Sequence, residues 1–521
     1  MSKPDDLGHA LLNLRNFTTF QKEIHLIQDE GGQVPIRFMS SINKTPWSSI
    51  VKVQMDRNVQ NDSEHSGISD FNKQAGKQVV TYRTSMKFDQ LIYTYLTTAT
   101  PRIKIKDQLK DLVRICWTSN IFHHIIVSGD TMINGNSAVG FGDAPRWLDK
   151  QKQHFMKAGA GFADLYDEMV GNHKFLTTWT DANHTTLPSY PIMSPQPWFY
   201  AENYKKSIPL HLMGENQSFE HVYRFDLNIK NFIRIQARKA IRDEEGNITG
   251  YDEWFDSPFS LDIFDRESEM SIPTPHMWAC YSKMTEKEKQ FHRSWEQPHN
   301  IIATNIIPFR PENPTPSGTK IVVPIETDTP VSCFYYVAEN LNARKFNNLS
   351  NYTTNSKDRY SGWEPVKSVV TSYGQQAVQK LNWLQTNCAE IWYHNQSAPR
   401  DKGYGIVTAS YSPGGGGPDI GTVCTKKLNL SLEFEVSSNS PIEDGVDHLA
   451  MDDPDNSDDI INSLLRLDRN VQRNPRGDVN DKYQVVVHAR SFKIIRFRHG
   501  EKVVIDDGRD STLIETDKNF P

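Results

Sequence analysis

The chain has 521 residues, 37% hydrophobic and 11% aromatic, enough for two to four domains at roughly 150 residues each. A net charge of -6 and a pI near 6.3 leave no basic footprint for tight nucleic-acid binding, so specific DNA recognition is excluded. A mean hydropathy of -0.60, with no apolar run of about eighteen residues, excludes a conventional spanning helix and points to a soluble β-rich protein. The five cysteines, Cys116, Cys280, Cys333, Cys388 and Cys424, form no CxxC pair. Reduced, mostly buried thiols are therefore expected, without a zinc site or a disulfide framework.

Residues 1–34 contain acidic residues and only short apolar runs, unlike a secretory signal, which implies synthesis in the cytosol. Apolar positions at Leu11, Leu12, Phe17, Phe20, Ile24 and Leu26 have a loosely helical spacing, read as an N-terminal arm or partner-binding segment, or else as a frayed terminus. From Thr45 the pattern changes to strands, with Val51 and Val53 on one face. A polar loop at 56–77 follows, and then β-rich segments at Phe88–Lys106 and Leu112–Ile133. Thr100-Pro101 stops the first of these, because proline donates no ladder hydrogen bond. Val113 and Ile115 alternate with Arg114 and are the expected inward pair. His123-His124 sits in a strand pattern, which would send the two rings to opposite faces.

Trp147, Leu148, Phe155, Phe162, Leu165, Tyr166 and Met169 follow a helical period over 146–170. This predicts a helix decorating a loop, broken at Ala158-Gly159-Ala160-Gly161. The proline-rich stretch Leu187–Phe199 reads as an extended connection. Residues 238–256 read as a hairpin or linker, and Thr285 with Glu288 has the spacing of a capping box opening a short helix. In the second half, 301–309, 320–327, 331–340, 391–395, 404–411, 428–436, 483–489 and 492–505 are eight strand candidates, the number in one jelly roll. Ser412–Asp419 reads as a flexible connection. The acidic run Glu443–Asp459 reads as a solvated loop in preference to a calcium loop, with a helical segment at 460–467 after it.

The words LIYTYL, TPRI, VRICW, NIFHHII, MING and YDEMVGN, in that order between Leu91 and Asn172, resemble the N-terminal jelly roll of the major capsid proteins of nucleocytoplasmic large DNA viruses, of the iridovirus-like type. Ile208, Pro209 and Leu210 match a further family segment, although His211, Leu212 and Met213 stand where the family has phenylalanines. Asn351, Tyr352 and Thr353 match a loop in the second half. The resemblance spans roughly residues 45–505. It implies an all-β fold of two tandem eight-stranded jelly rolls (a double jelly roll) with short helices in loops. The expected division is 1–34 arm, 35–240 N-terminal jelly roll, 241–295 linker and loop insertion, and 296–521 C-terminal jelly roll. It further implies a homotrimeric, pseudo-hexameric capsomer in an icosahedral virion capsid, made in the host cytoplasm. Neighbouring capsomers and minor capsid proteins beneath the shell would be its partners, and other proteins would mediate any contact with an inner membrane.

The search for chemistry is negative. The seventeen histidines form no HxH or HExxH pattern, and there is no GxSxG elbow. The expectation is no catalytic residue, no cofactor and no metal. Sequons include Asn43, Asn61, Asn183, Asn216, Asn247, Asn348, Asn351, Asn395 and Asn429. Asn247 and Asn348, read as exposed loop positions, are kept as weak glycosylation candidates. The competing class is a carbohydrate-binding or carbohydrate-processing β-sandwich, with Trp198, Trp254, Trp363 and Trp392 as stacking platforms.

Overall fold

The computed structural model describes residues 49–52, 54–58, 78–155, 160–202, 206–214, 216–245, 247–284, 286–294, 298–390, 399, 401–409, 425, 429–436 and 481–506. The expected arm, the stretches 391–395, 412–419, 443–459 and 460–467, Thr285 and Trp392 lie outside the described residues.

Alternating burial builds the first half. Its strands are β1 (Ser49–Lys52), β2 (Gln54–Asn58), β3 (Gln78–Arg83), β4 (Gln90–Ala99), β5 (Val113–Trp117), β6 (Ile126–Ile133), β7 (Asn136–Phe141), β8 (Pro191–Pro195), β9 (Phe219–Phe225), β10 (Ile233–Ala237), β11 (Phe255–Ser257) and β12 (His276–Ser282). One sheet has the order β1-β12-β4-β8, and β2-β3-β9-β6-β7 forms the opposing one. With β1 and β2 counted as the first strand, the eight jelly-roll strands run 1-8-3-6 in one sheet and 2-7-4-5 in the other. A small sheet, β11-β10-β5, lies beside them. In β5, Val113 and Ile115 are buried as the alternation requires.

The second half repeats that connectivity with β13 (His299–Phe309), β14 (Thr319–Pro324), β15 (Val331–Asn340), β16 (Val366–Tyr373), β17 (Gln376–Asn382), β18 (Tyr404–Thr408), β19 (Leu430–Val436) and β20 (Lys482–Phe497). Its sheets are β13-β20-β15-β18 and β14-β19-β16-β17, again 1-8-3-6 and 2-7-4-5. Leu430, Leu432, Phe434 and Val436 point into a core with Phe334, Tyr336, Val485 and Val487, each fully buried large apolar side chain contributing about 1.5–3 kcal/mol. β7 meets β13 in parallel at Phe141 and Ile306, which fuses one sheet from each half and, with the short strands Thr315–Pro316 and Val504–Asp506 paired to β20, makes an eleven-stranded sheet. Gly142 makes this approach possible, since a Cβ there would lie 2.8 Å from Pro308 Cγ.

Several expectations need correction. The stretches 483–489 and 492–505 are largely one sixteen-residue strand, β20, because residues 483–492 are buried continuously and offer no turn. The hairpin β16–β17, turning at Gly374 with φ 59°, went unrecognised because Val378 and its neighbours are exposed and leave no alternating core signature. His276–Ser282, inside the expected linker, is a strand of the first jelly roll between β1 and β4. The proline-rich stretch contributes β8, at the sheet edge where missing N–H donors are tolerated. The hairpin expected within 238–256 is present, Ala240–Arg242 pairing with Ile248–Tyr251.

His123 and His124 lie on a short helix, α1 (Ile121–Ile125), after Asn120 turns the chain with φ 53°. The 146–170 segment is two helices, α2 (Ala144–Phe155) and α3 (Ala160–Met169). Far from decorating a loop, α2 is packed between the jelly rolls, with Trp147, Leu148, Asp149 and Lys150 all buried.

Candidate functional site

A polar helix buried on every side must find a partner for each charge, or lose several kcal/mol per unpaired ion. α2 finds them in both halves. Arg146 donates to Glu339 Oε1 and Oε2 of β15 at 2.9 and 2.7 Å, and to Asp143 Oδ1 at 2.5 Å. Burial alone would lower the Arg146 pKa, but the carboxylates of Glu339 and Asp143 reverse that and drive it upward. One turn on, Lys150 Nζ reaches the carbonyls of Tyr335 and Val486, each at 3.1 Å, and His488 Nδ1 at 2.8 Å. Three acceptors match the three donors of an ammonium, and His488 Nε2 faces Gly142 O at 3.3 Å. Burial pulls the Lys150 pKa well below its ordinary value.

Asp149, fully buried, is the centre of the junction. Oδ1 accepts from His123 Nδ1 at 2.7 Å, and Oδ2 from Ser350 Oγ at 3.0 Å and Tyr352 Oη at 2.9 Å. His123 Nε2 faces Tyr166 Oη at 3.1 Å, and His124 Nε2 lies 2.9 Å from Ser350 Oγ. The two histidines thus converge on one carboxylate and the serine bound to it, instead of diverging as a strand would make them. Burial raises the Asp149 carboxyl, but the hydrogen bond from His123 and the nearby His124 and Lys152 outweigh this and bring it down to about 2. Burial lowers His124 to about 4. Lys152 donates to Asn120 Oδ1 at 2.8 Å and pairs with Asp167. A second cluster ties Glu202 to Lys206 at 2.6 Å and, across the halves, to Arg490 of β20 at 3.1 Å.

Most of these groups are satisfied by one another, while among the described residues Arg146 Nε and Asp143 Oδ2 are buried without a hydrogen-bond partner. Among the described residues, no group of three or more His, Cys, Asp or Glu side chains is placed to hold a metal ion, and no helix is long and apolar enough to cross a membrane. The ion pairs and hydrogen bonds of this junction join residues of the first half to residues of the second.

No protein-family model and no curated protein matches the sequence. Solved structures do. The quasi-atomic model of the PBCV-1 virus capsid is 11% identical with a TM-score of 0.58, over 88% of this chain and 96% of that one. Faustovirus major capsid protein is 9% identical with a TM-score of 0.55, over 95% of this chain and 100% of that one.

The chain has the double jelly-roll fold of viral major capsid proteins.

Within this capsid-protein fold, three of the four tryptophans offered as sugar platforms are otherwise engaged. Trp198 is buried and donates Nε1–H to Tyr223 at 2.9 Å. Trp254 lies between the guanidinium groups of Arg114 and Arg238, 4.4 and 4.3 Å from its ring centroid. Arg114 and Arg234 also flank Trp179 at 5.2 and 5.1 Å, so the outer face of the β11-β10-β5 sheet is closed by a ladder of alternating cations and rings. Lys402 sits 5.4 Å from the Trp363 ring. The carbohydrate reading loses these three platforms, and Trp392 lies outside the described residues. Of the glycosylation candidates, Asn247 is exposed in the turn of the Ala240–Tyr251 hairpin. Asn348 is not the exposed position expected. It is 8% exposed, and its amide donates to the carbonyls of Ser356 and Lys357 at 2.9 and 3.2 Å. Cys116, Cys280 and Cys333 are buried free thiols.

Sequence reasoning missed Asp149, Lys150, Arg146 and their partners. The available signal was a helical segment, RWLDKQKQ, whose charges fall on all faces. Such a helix is either solvated or buried among partners, and only the fold distinguishes the two.

Proposed function

We propose that this chain is a major capsid protein, a structural and non-catalytic block that assembles as a homotrimer into pseudo-hexameric capsomers of a large double-stranded DNA virus. The observation that carries this reading is the repeated 1-8-3-6 and 2-7-4-5 strand order in two halves welded by a buried ionic junction. Two like sandwiches in one chain give six in a trimer, a nearly hexagonal footprint suited to tiling a shell. The likeness to the capsid structures of PBCV-1 and Faustovirus supports it.

On this reading, neighbouring capsomers and minor proteins beneath the shell are its partners. The virion capsid is its destination after synthesis in the host cytoplasm. Asn247 is the glycosylation candidate that remains. The test is the native mass of the purified protein together with negative-stain imaging. A particle of three times 59.7 kDa with a hexagonal outline is expected. A stable monomer at micromolar concentration would overturn the reading.

A further inference from the structure

The outward face of the first jelly roll's β1-β12-β4-β8 sheet is aromatic where a solvated sheet face is ordinarily polar. Tyr93, 38% exposed, and Tyr95 stand on β4. Tyr95 stacks on Trp278 of β12 with ring centroids 6.4 Å apart. Beside them a groove of about 550 Å³ is lined by Tyr93, Tyr95, Met193, Pro195, Tyr166 and Trp198, and by the charged Lys152 and Glu202. That volume falls within the roughly 300–1,000 Å³ of pockets that enclose a ligand. Lys152 is committed to Asn120 and Asp167, and Glu202 to Lys206 and Arg490, so both lining charges are paired within the protein and the aromatic wall is left for an apolar occupant.

The chain itself supplies that occupant. Forty-eight residues precede Ser49, where β1 begins. β1 pairs with β12 (Lys52 opposite Trp278), and β12 pairs with β4 (Trp278 opposite Tyr95). The chain therefore enters the molecule two strands from the groove, about 10 Å away at ordinary strand spacing. Within the preceding segment, Phe17, Phe20, Ile24 and Ile27 recur at i, i+3, i+7 and i+10, the spacing of one apolar face. The residues between Ile27 and Ser49 reach up to roughly 70 Å when extended, far more than the path requires. We infer that the segment Leu11–Ile27 of this chain docks in the Tyr93/Tyr95/Met193 groove of its own first jelly roll, setting phenylalanine and isoleucine side chains against the aromatic face. The inference is independent of the shell reading.

A photoreactive benzoyl-phenylalanine in place of Tyr93, in the full-length purified protein, tests it. Irradiation should link position 93 to a peptide within residues 11–27, at monomer mass under denaturing conditions, and the link should disappear in Phe17→Asp/Phe20→Asp. In that double variant without the photoreactive group, amide exchange at residues 90–99 and 191–202 should quicken severalfold. Cross-links only to other segments or to another copy, or exchange identical to the wild type, would overturn the inference. If the double variant fails to fold, the cross-link map of the otherwise wild-type chain decides the question alone.

Discussion

Tyr352 donates its hydroxyl proton to Asp149 Oδ2 at 2.9 Å, across 203 residues of sequence, and so ties a loop of the second jelly roll to the helix that closes the first. Replacing Asp149 by Asn keeps the volume but withdraws the charge on which His123, Ser350, Tyr352 and the nearby Lys152 depend. Breaking one member of a buried ionic network costs about 3–5 kcal/mol. Chemical denaturation should show a loss of that size in Asp149→Asn. Lys320→Ala, which breaks an exposed pair with Glu433, should leave the midpoint unchanged.

The junction of β7 and β13 is sterically tight, and Gly142→Ala places a methyl group 2.8 Å from Pro308 Cγ. Overpacking of this kind costs about 1–3 kcal/mol. The thermal midpoint should fall in Gly142→Ala and recover in part in Gly142→Ala/Pro308→Ala. Additive losses in the double-mutant cycle would show that the contact does not couple the halves.

Acid should weaken the fold through its buried neutral histidines. Burial lowers His221 to about 3 from an ordinary 6.5. As pH falls below 6.5 the unfolded chain takes up a proton that the folded chain refuses, and stability falls by about 1.4 kcal/mol per pH unit for the group until the folded value is reached. His124, lowered to about 4, acts in the same direction. Unfolding free energies of His221→Gln should therefore decline less steeply than those of the wild type between pH 6 and pH 4, with parallel slopes ruling the mechanism out.

Glu364 works in the opposite sense. Burial raises its carboxyl to about 7 from 4.5, against the hydrogen bond it accepts from Gly403 N at 2.7 Å. The stability it contributes is present below pH 4.5 and is lost as pH rises toward 7. Glu364→Gln keeps the acceptor and removes the ionisation. Its melting temperature relative to the wild type should rise between pH 5 and pH 8. A difference that does not vary with pH would refute this assignment.

β5 separates packing from its surface ladder. Ile115 is fully buried, and Ile115→Ala should cost about 2–5 kcal/mol by lost transfer and cavity formation. Arg114 faces outward, yet it bonds Gln236 at 2.6 and 2.8 Å and packs on Trp179 and Trp254. Its removal should cost about 1–2 kcal/mol from the lost cation–π contacts, with a change in tryptophan emission that Arg114→Lys partly restores.

The sequence by itself determined the elements whose burial alternates with period two: Val113 and Ile115 inward, and Leu430 through Val436 as a strand. It determined the resemblance too, because the ordered words from Leu91 to Asn172 are local. It did not determine the hairpin Val366–Asn382, whose second strand has an exposed and therefore unpatterned face, or the unity of Lys482–Phe497, whose two-sided burial erases alternation. Nor did it place α2. Arg146, Asp149 and Lys150 read equally well as a solvated face and as a buried junction, since a charge carries no local mark of its partner. Glu339, Tyr352 and His488 lie hundreds of residues away in sequence. Only the closing of both jelly rolls brings them within hydrogen-bonding distance, and that closing is decided by the tertiary structure.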